Sequence, residues 1–323
     1  MRQTVDQNLL AANIDTIRSV FKMDYTHMQI MGAFICTVYG VVTEEEHLRE
    51  CRKILKSRFG IFSNFRGHLE LLIVVKMSLA EDPEEYLDGI ISTYESLSSS
   101  FVMGNESRIL TAIILYDNIR PEYLDALCDQ TVNIYQIMKE NHPFLTDQYD
   151  MPFAALMAIK GDVIDFQIED IEACYELISP GFLLSQNESQ TVSHILSLSD
   201  LPSDEKSGMF LEMYDVFKEN KIGLSTRSMP ILAVLIYAGV PVEKAVFQTI
   251  DNDQILKQIR GFGGVFGVGS ETRRMFAAAM TVLDNIPDDT AVEGAVVSSI
   301  LSLIISIETM AVVAATTTST SHG

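Results

Sequence analysis

The sequence predicts an all-α protein, an α-solenoid of about six stacked helical hairpins with a period of about 40 residues, in one domain over residues 1–323. Three observations predict it. Tyrosines recur at Tyr94, Tyr135, Tyr175 and Tyr214, at intervals of 41, 40 and 39 residues, and a period in this range marks stacked helix pairs. Around them, apolar residues fall three and four apart, as in Tyr86, Leu87, Ile90, Ile91, Tyr94 and Leu97; that spacing puts them on one face of a helix. Proline, which costs roughly 3 kcal/mol inside a helix, occurs only nine times.

The elements follow in order. Residues 1–42 read as an N-terminal hairpin built from Val5–Phe21 and Tyr25–Gly40. Thr43 with Glu46 makes a capping box that opens the repeats, residues 43–290. In each unit the tyrosine is followed three residues later by Leu97, Met138, Ile178 or Phe217. A loop with an apolar plug comes next (Phe101, Phe144, Phe182, Leu224), then a small polar cap (Asn105, Thr146, Ser185, Ser225). A cap oxygen there takes free N–H groups of the following helix. Upstream, Ile54, Phe62 and Ser63 fill the same places; downstream, Ile255, Phe262 or Phe266, and Ser270 do. A residue that recurs once per unit is expected to be a packing knob, so the tyrosines are assigned to the core. Residues 291–315 read as a closing helix packed on the preceding hairpin, and 316–323 as a frayed polar tail. No Gly-, Pro- or Ser-rich linker divides the chain.

The segment 294–315 is long and apolar enough to resemble a membrane span. It contains Glu308, and a charge in hydrocarbon costs at least about 2.5 kcal/mol. No Lys or Arg follows Arg274 to orient a span, so a closing helix is the expectation.

The formal net charge is −21, from 44 acidic and 23 basic residues. Polyanions bind through Lys and Arg that displace counterions, which argues against nucleic acid. An anionic membrane surface is disfavoured for the same reason, so the expected partner is a protein with a basic face. Cysteines at 36, 51, 128 and 174 form no C-x-x-C pair and read as small buried hydrophobes. The first twenty residues carry Asp6 and Asp15 and lack a signal-peptide core; the expected location is the cytoplasm.

Three stretches carry a family resemblance: Met138-Lys139-Glu140-Asn141-His142-Pro143-Phe144-Leu145-Thr146 with Asp150 behind it, Ser193-His194-Ile195-Leu196, and Arg273-Arg274-Met275-Phe276. Together they resemble the bacterial domain-of-unknown-function 4003 family, over about residues 15 to 310. The resemblance implies no activity.

His142, Asp147, Asp150 and His194 are the candidate metal residues. Neighbouring hairpins stand roughly 10 Å apart, and two imidazoles with a carboxylate can form an open zinc or iron site. The structural alternative is a His142 that caps a helix end and a His194 held in the core. A divalent metal is therefore the one cofactor in question, with none otherwise expected. The run Gly261–Gly269 precedes Arg273 and Arg274, but phosphate-binding glycine loops follow a strand, so an enlarged turn is expected. Glu44-x-x-His47 is half of a di-iron motif with no second copy and reads as a solvated face. Asp162, Asp165, Glu169, Asp170 and Glu172 read as an exposed acidic helix start. The expected function is a non-enzymatic protein-interaction scaffold. The alternative is a metal-dependent enzyme with a site near His142, Asp150 and His194.

Overall fold

The computed structural model describes residues 5–98, 106–263, 267–286, 297–307 and 309. Among the described residues there is no strand, only an isolated bridge between Arg260 and Gly263. The helices come in pairs: α1 (Gln7–Val20) with α2 (Thr26–Val38), α3 (Glu45–Arg58) with α4 (Glu70–Leu79), and α5 (Pro83–Ser98) with α6 (Glu106–Asn118). Next are α7 (Leu124–Asn141) with α8 (Met151–Lys160), and α9 (Ile164–Ile178) with α10 (Gln186–Leu196). Last are α11 (Ser203–Glu219) with α12 (Pro230–Tyr237), and α13 (Val242–Gln258) with α14 (Ser270–Asp284).

Odd and even helices differ in pattern. The odd ones bury a single stripe, such as Leu10, Ile14 and Ile17 on α1. The even ones are buried all round: every residue from Met151 to Ala158 on α8, and from Pro230 to Ile236 on α12. A one-sided helix belongs to a surface and an all-round apolar helix to an interior. The chain therefore forms two layers, odd helices outside and even helices inside.

The ends meet. Phe34 on α2 packs edge-on to Phe276 on α14, with ring centroids 5.5 Å apart. Arg18 of α1 donates to the Arg260 carbonyl at 3.4 Å, and Arg260 pairs with Asp15 at 3.6 Å. Gly261, with φ +107°, lies against the Arg18 guanidinium, where a Cβ would collide. Local repeats alone suggest a stack with two free ends; here the seven described pairs close into a ring.

A ring of seven inner helices at ordinary spacing has its centre roughly 11–12 Å from each axis, which leaves room for one more helix. That helix is α15 (Val297–Ile307). Ile300, Leu301, Leu303, Ile304, Ile305 and Ile307 are buried, as are Ser298, Ser302, Ser306 and Thr309. A helix buried on every side needs neighbours on every side, and the inward faces of the even helices supply them. The closing helix expected over 291–315 is described over 297–307 and 309, and Val297 lies by Leu283 and Ile286 at the end of the preceding hairpin and by Val38 of α2. Residues 291–296, Glu308 and 310–323, the tail included, fall outside the described residues.

Because each pair runs up outside and down inside, all hairpin turns share one rim. Contacts around it are continuous: the Tyr25 and His68 rings at 5.8 Å, the His68 N–H on Glu106, the Ser107 hydroxyl on the Gln148 carbonyl, and Gln190 on Thr146 at 2.8 Å. Ser228 donates to Glu271 and Arg274 to the Gly223 carbonyl.

The tyrosines pack between neighbouring pairs and are half-buried, not fully internal. Tyr94 meets Phe65 edge-on at 5.2 Å, Tyr175 meets His142 at 4.9 Å, and Tyr214 meets Phe182 at 4.8 Å. In each case the partner ring belongs to the turn of the preceding pair. Two of the expected plugs fail: Phe62 and Phe144 are 95% and 98% exposed, whereas Phe182, Leu224 and Phe262 are buried. Phe101 lies outside the described residues. In the fourth pair the His142 ring, rather than Phe144, meets the tyrosine of the next pair. Several expected caps fail too, since tertiary partners take the side chains: Thr43 donates to Asn13, and Thr146 donates to the Met138 carbonyl. Ser185 makes no side-chain cap.

Two substitutions separate these roles. Tyr175→Ala should cost about 1–3 kcal/mol, less than a fully buried aromatic, while Phe144→Ser should leave chemical denaturation unchanged. Ile304→Ala on the axial helix should cost about 2–5 kcal/mol. Wild-type denaturation of that variant would remove α15 from the axis.

Candidate functional site

The structure divides the four candidate metal residues. His142 turns outward to the next pair, where its Nε2 lies 2.8 Å from Glu172 Oε2. Asp147 begins the short helical turn 148–150; it accepts from the Tyr149 N–H at 2.7 Å, while its own N–H donates to Asp150 at 2.8 Å. Asp150 and His194 are brought together, with His194 Nδ1 3.4 Å from Asp150 Oδ1. That approach is out of line for a hydrogen bond, and both ring nitrogens of the fully buried His194 lack a hydrogen-bond partner. The Phe153 ring lies 5.9 Å from its imidazole. Among the described residues, no group of three or more His, Cys, Asp or Glu is arranged to hold a metal ion.

The remaining motifs serve the ring. Arg273 donates to Asp253 at 2.8 Å and to the Phe262 carbonyl at 3.3 Å, so its charge is committed inside the protein. Residues 264–266 of the glycine run lie outside the described residues. His47 Nε2 lies 3.2 Å from the Ser78 carbonyl, which ties α3 to α4. Asp170 and Glu172 are not simply solvated: Asp170 holds the buried Lys206 and accepts from Ser203 at 2.6 Å.

A cluster on the turn rim escaped the motif reading. Glu70, at the start of α4, is buried and meets Arg52 at 2.6 Å, Arg66 at 3.5 Å and Lys56 at 3.8 Å. Arg52 also donates to the Val20 carbonyl at 2.9 Å and sits over the Phe21 ring at 4.5 Å. Arg52, Arg66 and Glu70, with Met23, Asp24, Tyr25 and His68, line a cavity of about 250 Å³. Burial pushes the Asp24 carboxyl up and His27 down, the latter helped by the charge of His68. The sequence carried a signal for this cluster. Between His47 and Leu69 stand Arg49, Arg52, Lys53, Lys56, Arg58 and Arg66, against the single acid Glu50.

The rims differ in charge. The described turns carry Lys22, Arg66, Lys221, Arg227 and Arg260, against Asp24, Asp147 and Asp150. The connections on the opposite rim carry Glu44, Glu81, Asp82, Glu122, Asp162 and Asp200, against Arg120. Among the described residues, no single helix is long and apolar enough to cross a membrane.

The fold and its polar rims define a closed two-layer ring of helical hairpins with a filled axis. The chain belongs to the DUF4003 family, proteins of unknown function, whose model matches residues 13–316. It is 24% identical over 247 residues to the uncharacterised protein YeaA of Bacillus subtilis (strain 168), with 73% of each chain covered. No solved structure matches the chain.

The four cysteines are buried and free. Burial pushes the thiols of Cys36 and Cys128 up to about 12 and those of Cys51 and Cys174 up to about 11. The thiolate is the reactive form, so native protein at about pH 8 should give no rapid reaction with a disulfide reagent, and all four thiols should appear on unfolding. A fast-reacting thiol in the native protein would contradict this packing.

Proposed function

We infer that the protein is a non-enzymatic interaction scaffold whose outer wall receives a partner with a basic face. The observation that carries this reading is the charge of α5, α7, α9 and α11. Glu84, Glu85, Asp88 and Glu95 are exposed on α5, and Asp125, Asp129 and Glu140 on α7. Asp165, Glu169 and Glu176 follow on α9, then Asp204, Glu205, Glu212, Asp215 and Glu219 on α11. The exposed cations on these four helices are Lys139 and Lys218. A single-sign wall of this extent steers an oppositely charged partner and repels like-charged ones. With the ring axis filled, recognition falls to this outer wall rather than to an inner concave surface. Cross-linking in cell extract followed by reconstitution tests the reading. The expected outcome is a partner whose affinity falls about tenfold or more in Glu205→Lys/Glu212→Lys protein and at high salt. A complex indifferent to both would overturn it.

A divalent-metal enzyme is the second reading, favoured by the unpartnered ring nitrogens of His194 beside Asp150. Stoichiometric zinc, iron or manganese in purified protein, lost in Asp150→Ala/His194→Ala protein, would support it. Metal-free protein would dispose of it.

A further inference from the structure

We propose that the hairpin-turn rim docks on an anionic lipid surface, led by the turns of the first two pairs. The net charge argues against such a surface only if the charge is evenly spread, and the ring separates it. The first two turns present Met23, Tyr25, Ile61 and Phe62 to solvent; Met23 is 96% exposed and Phe62, as above, almost fully so. Exposed Lys22 lies in the first turn, and exposed Lys53 and Lys56 on the helix that leads into the second; Lys56 reaches Glu70 at 3.8 Å, and the neighbouring Arg58 is taken up by Asp88 at 3.0 Å and Glu84 at 3.9 Å.

The two turns form one continuous patch, because Met23 and Tyr25 line the same cavity as Arg66, Gly67 and His68. Apolar tips with a basic collar are what interfacial docking requires: the tips enter the headgroup boundary and the cations meet anionic headgroups.

The same rim continues the pattern. Phe144, Leu183 and Leu184 project from the turns of the fourth and fifth pairs, and exposed Lys221 and Arg227 follow on the sixth. These tips stand in separate turns around a ring, so they suit a flat surface better than one groove-filling segment. Exposed carboxylates on this side include Glu140, Asp147 and Glu219 on later pairs, and Glu50 and Asp15 on the first two, with Asp15 3.6 Å from Arg260; the apolar tips together with the exposed lysines make the first two turns the leading edge. Of the carboxyls within the patch, Glu70 is taken up by Arg52, Arg66 and Lys56, and burial pushes the Asp24 carboxyl above its usual range. The acidic opposite rim then faces away from the lipid.

Flotation of the full chain with vesicles tests this. Wild-type protein should float with phosphatidylcholine vesicles that contain phosphatidylglycerol, weaken as salt is raised, and ignore phosphatidylcholine alone. Met23→Ser/Phe62→Ser and Lys22→Glu/Lys53→Glu should each lower partitioning about tenfold. All four side chains are exposed, so melting should stay unchanged. Phe247→Ser, at an exposed site on α13 away from the rim, should float like wild type, and so should the outer-wall variant Glu205→Lys/Glu212→Lys. Absence of flotation with anionic vesicles, or equal flotation of rim variants and controls, would overturn the proposal. Wild-type protein that ignores vesicles but loses a protein complex in Met23→Ser/Phe62→Ser form would also overturn it, making the rim a protein interface.

Discussion

The axial helix is the element on which the rest of the ring depends. Seven inner helices that are buried on all sides can be satisfied outward by the odd helices, but their inward faces need a filler. An empty ring would leave a channel lined by side chains such as those of α8 and α12, with the energetic cost of a cavity on every layer. The buried isoleucines and leucines of α15 fill it, while Ser302, Ser306 and Thr309 let it approach closely; Ser306 returns its hydroxyl to the Ser302 carbonyl at 2.8 Å. Close approach is a general feature of this interior. At Gly32 on α2, a Cβ would come within 2.7 Å of the Leu71 side chain and 3.1 Å of that of Val75, so a larger residue would force those side chains on α4 to shift.

Polar ties then fix which helix meets which. Arg52 with Glu70, Lys76 with Asp117, Lys206 with Asp170, and Arg273 with Asp253 each join different helices. Lys76 and Tyr86 share Asp117, each at 2.7 Å. The opposite charge outweighs burial at Lys76, whose ammonium is held above its usual range, while burial and the Asp117 charge push the Tyr86 phenol well up. Buried ion pairs add little net stability, because desolvation offsets attraction, yet removing one partner is costly. Their effect here is to penalise wrong registers among helices whose apolar faces are nearly interchangeable.

The separation of charge follows from the same closure. Each pair crosses between layers at one rim and is joined to the next pair at the other, so turn residues and connector residues collect on opposite ends. Outer stripes face solvent over the whole circumference. A chain with a net charge of −21 thereby holds an acidic wall, an acidic rim and a basic, apolar-tipped rim at once. These surfaces are what remains for recognition once the interior is filled.

The sequence by itself determined the helices, their pairing and the acidic balance, because periodicity and composition are local properties. The recurring tyrosines were legible as packing residues, and the half-buried rings against Phe65, His142 and Phe182 give that role its form. Of the candidate metal residues, proximity of Asp150 and His194 was legible from hairpin stacking. The partner of His142 was not, because Glu172 arrives from the next pair. Tertiary structure alone decided that the ends meet, that α15 lies on the axis, and that Phe62 and Phe144 face outward. Those outcomes depend on contacts such as Phe34 with Phe276 and Arg18 with Arg260, whose partners lie more than two hundred residues apart in sequence. A pattern of 3.6 residues per turn tells a helix which of its faces is apolar, but only the closed ring determines what that face meets.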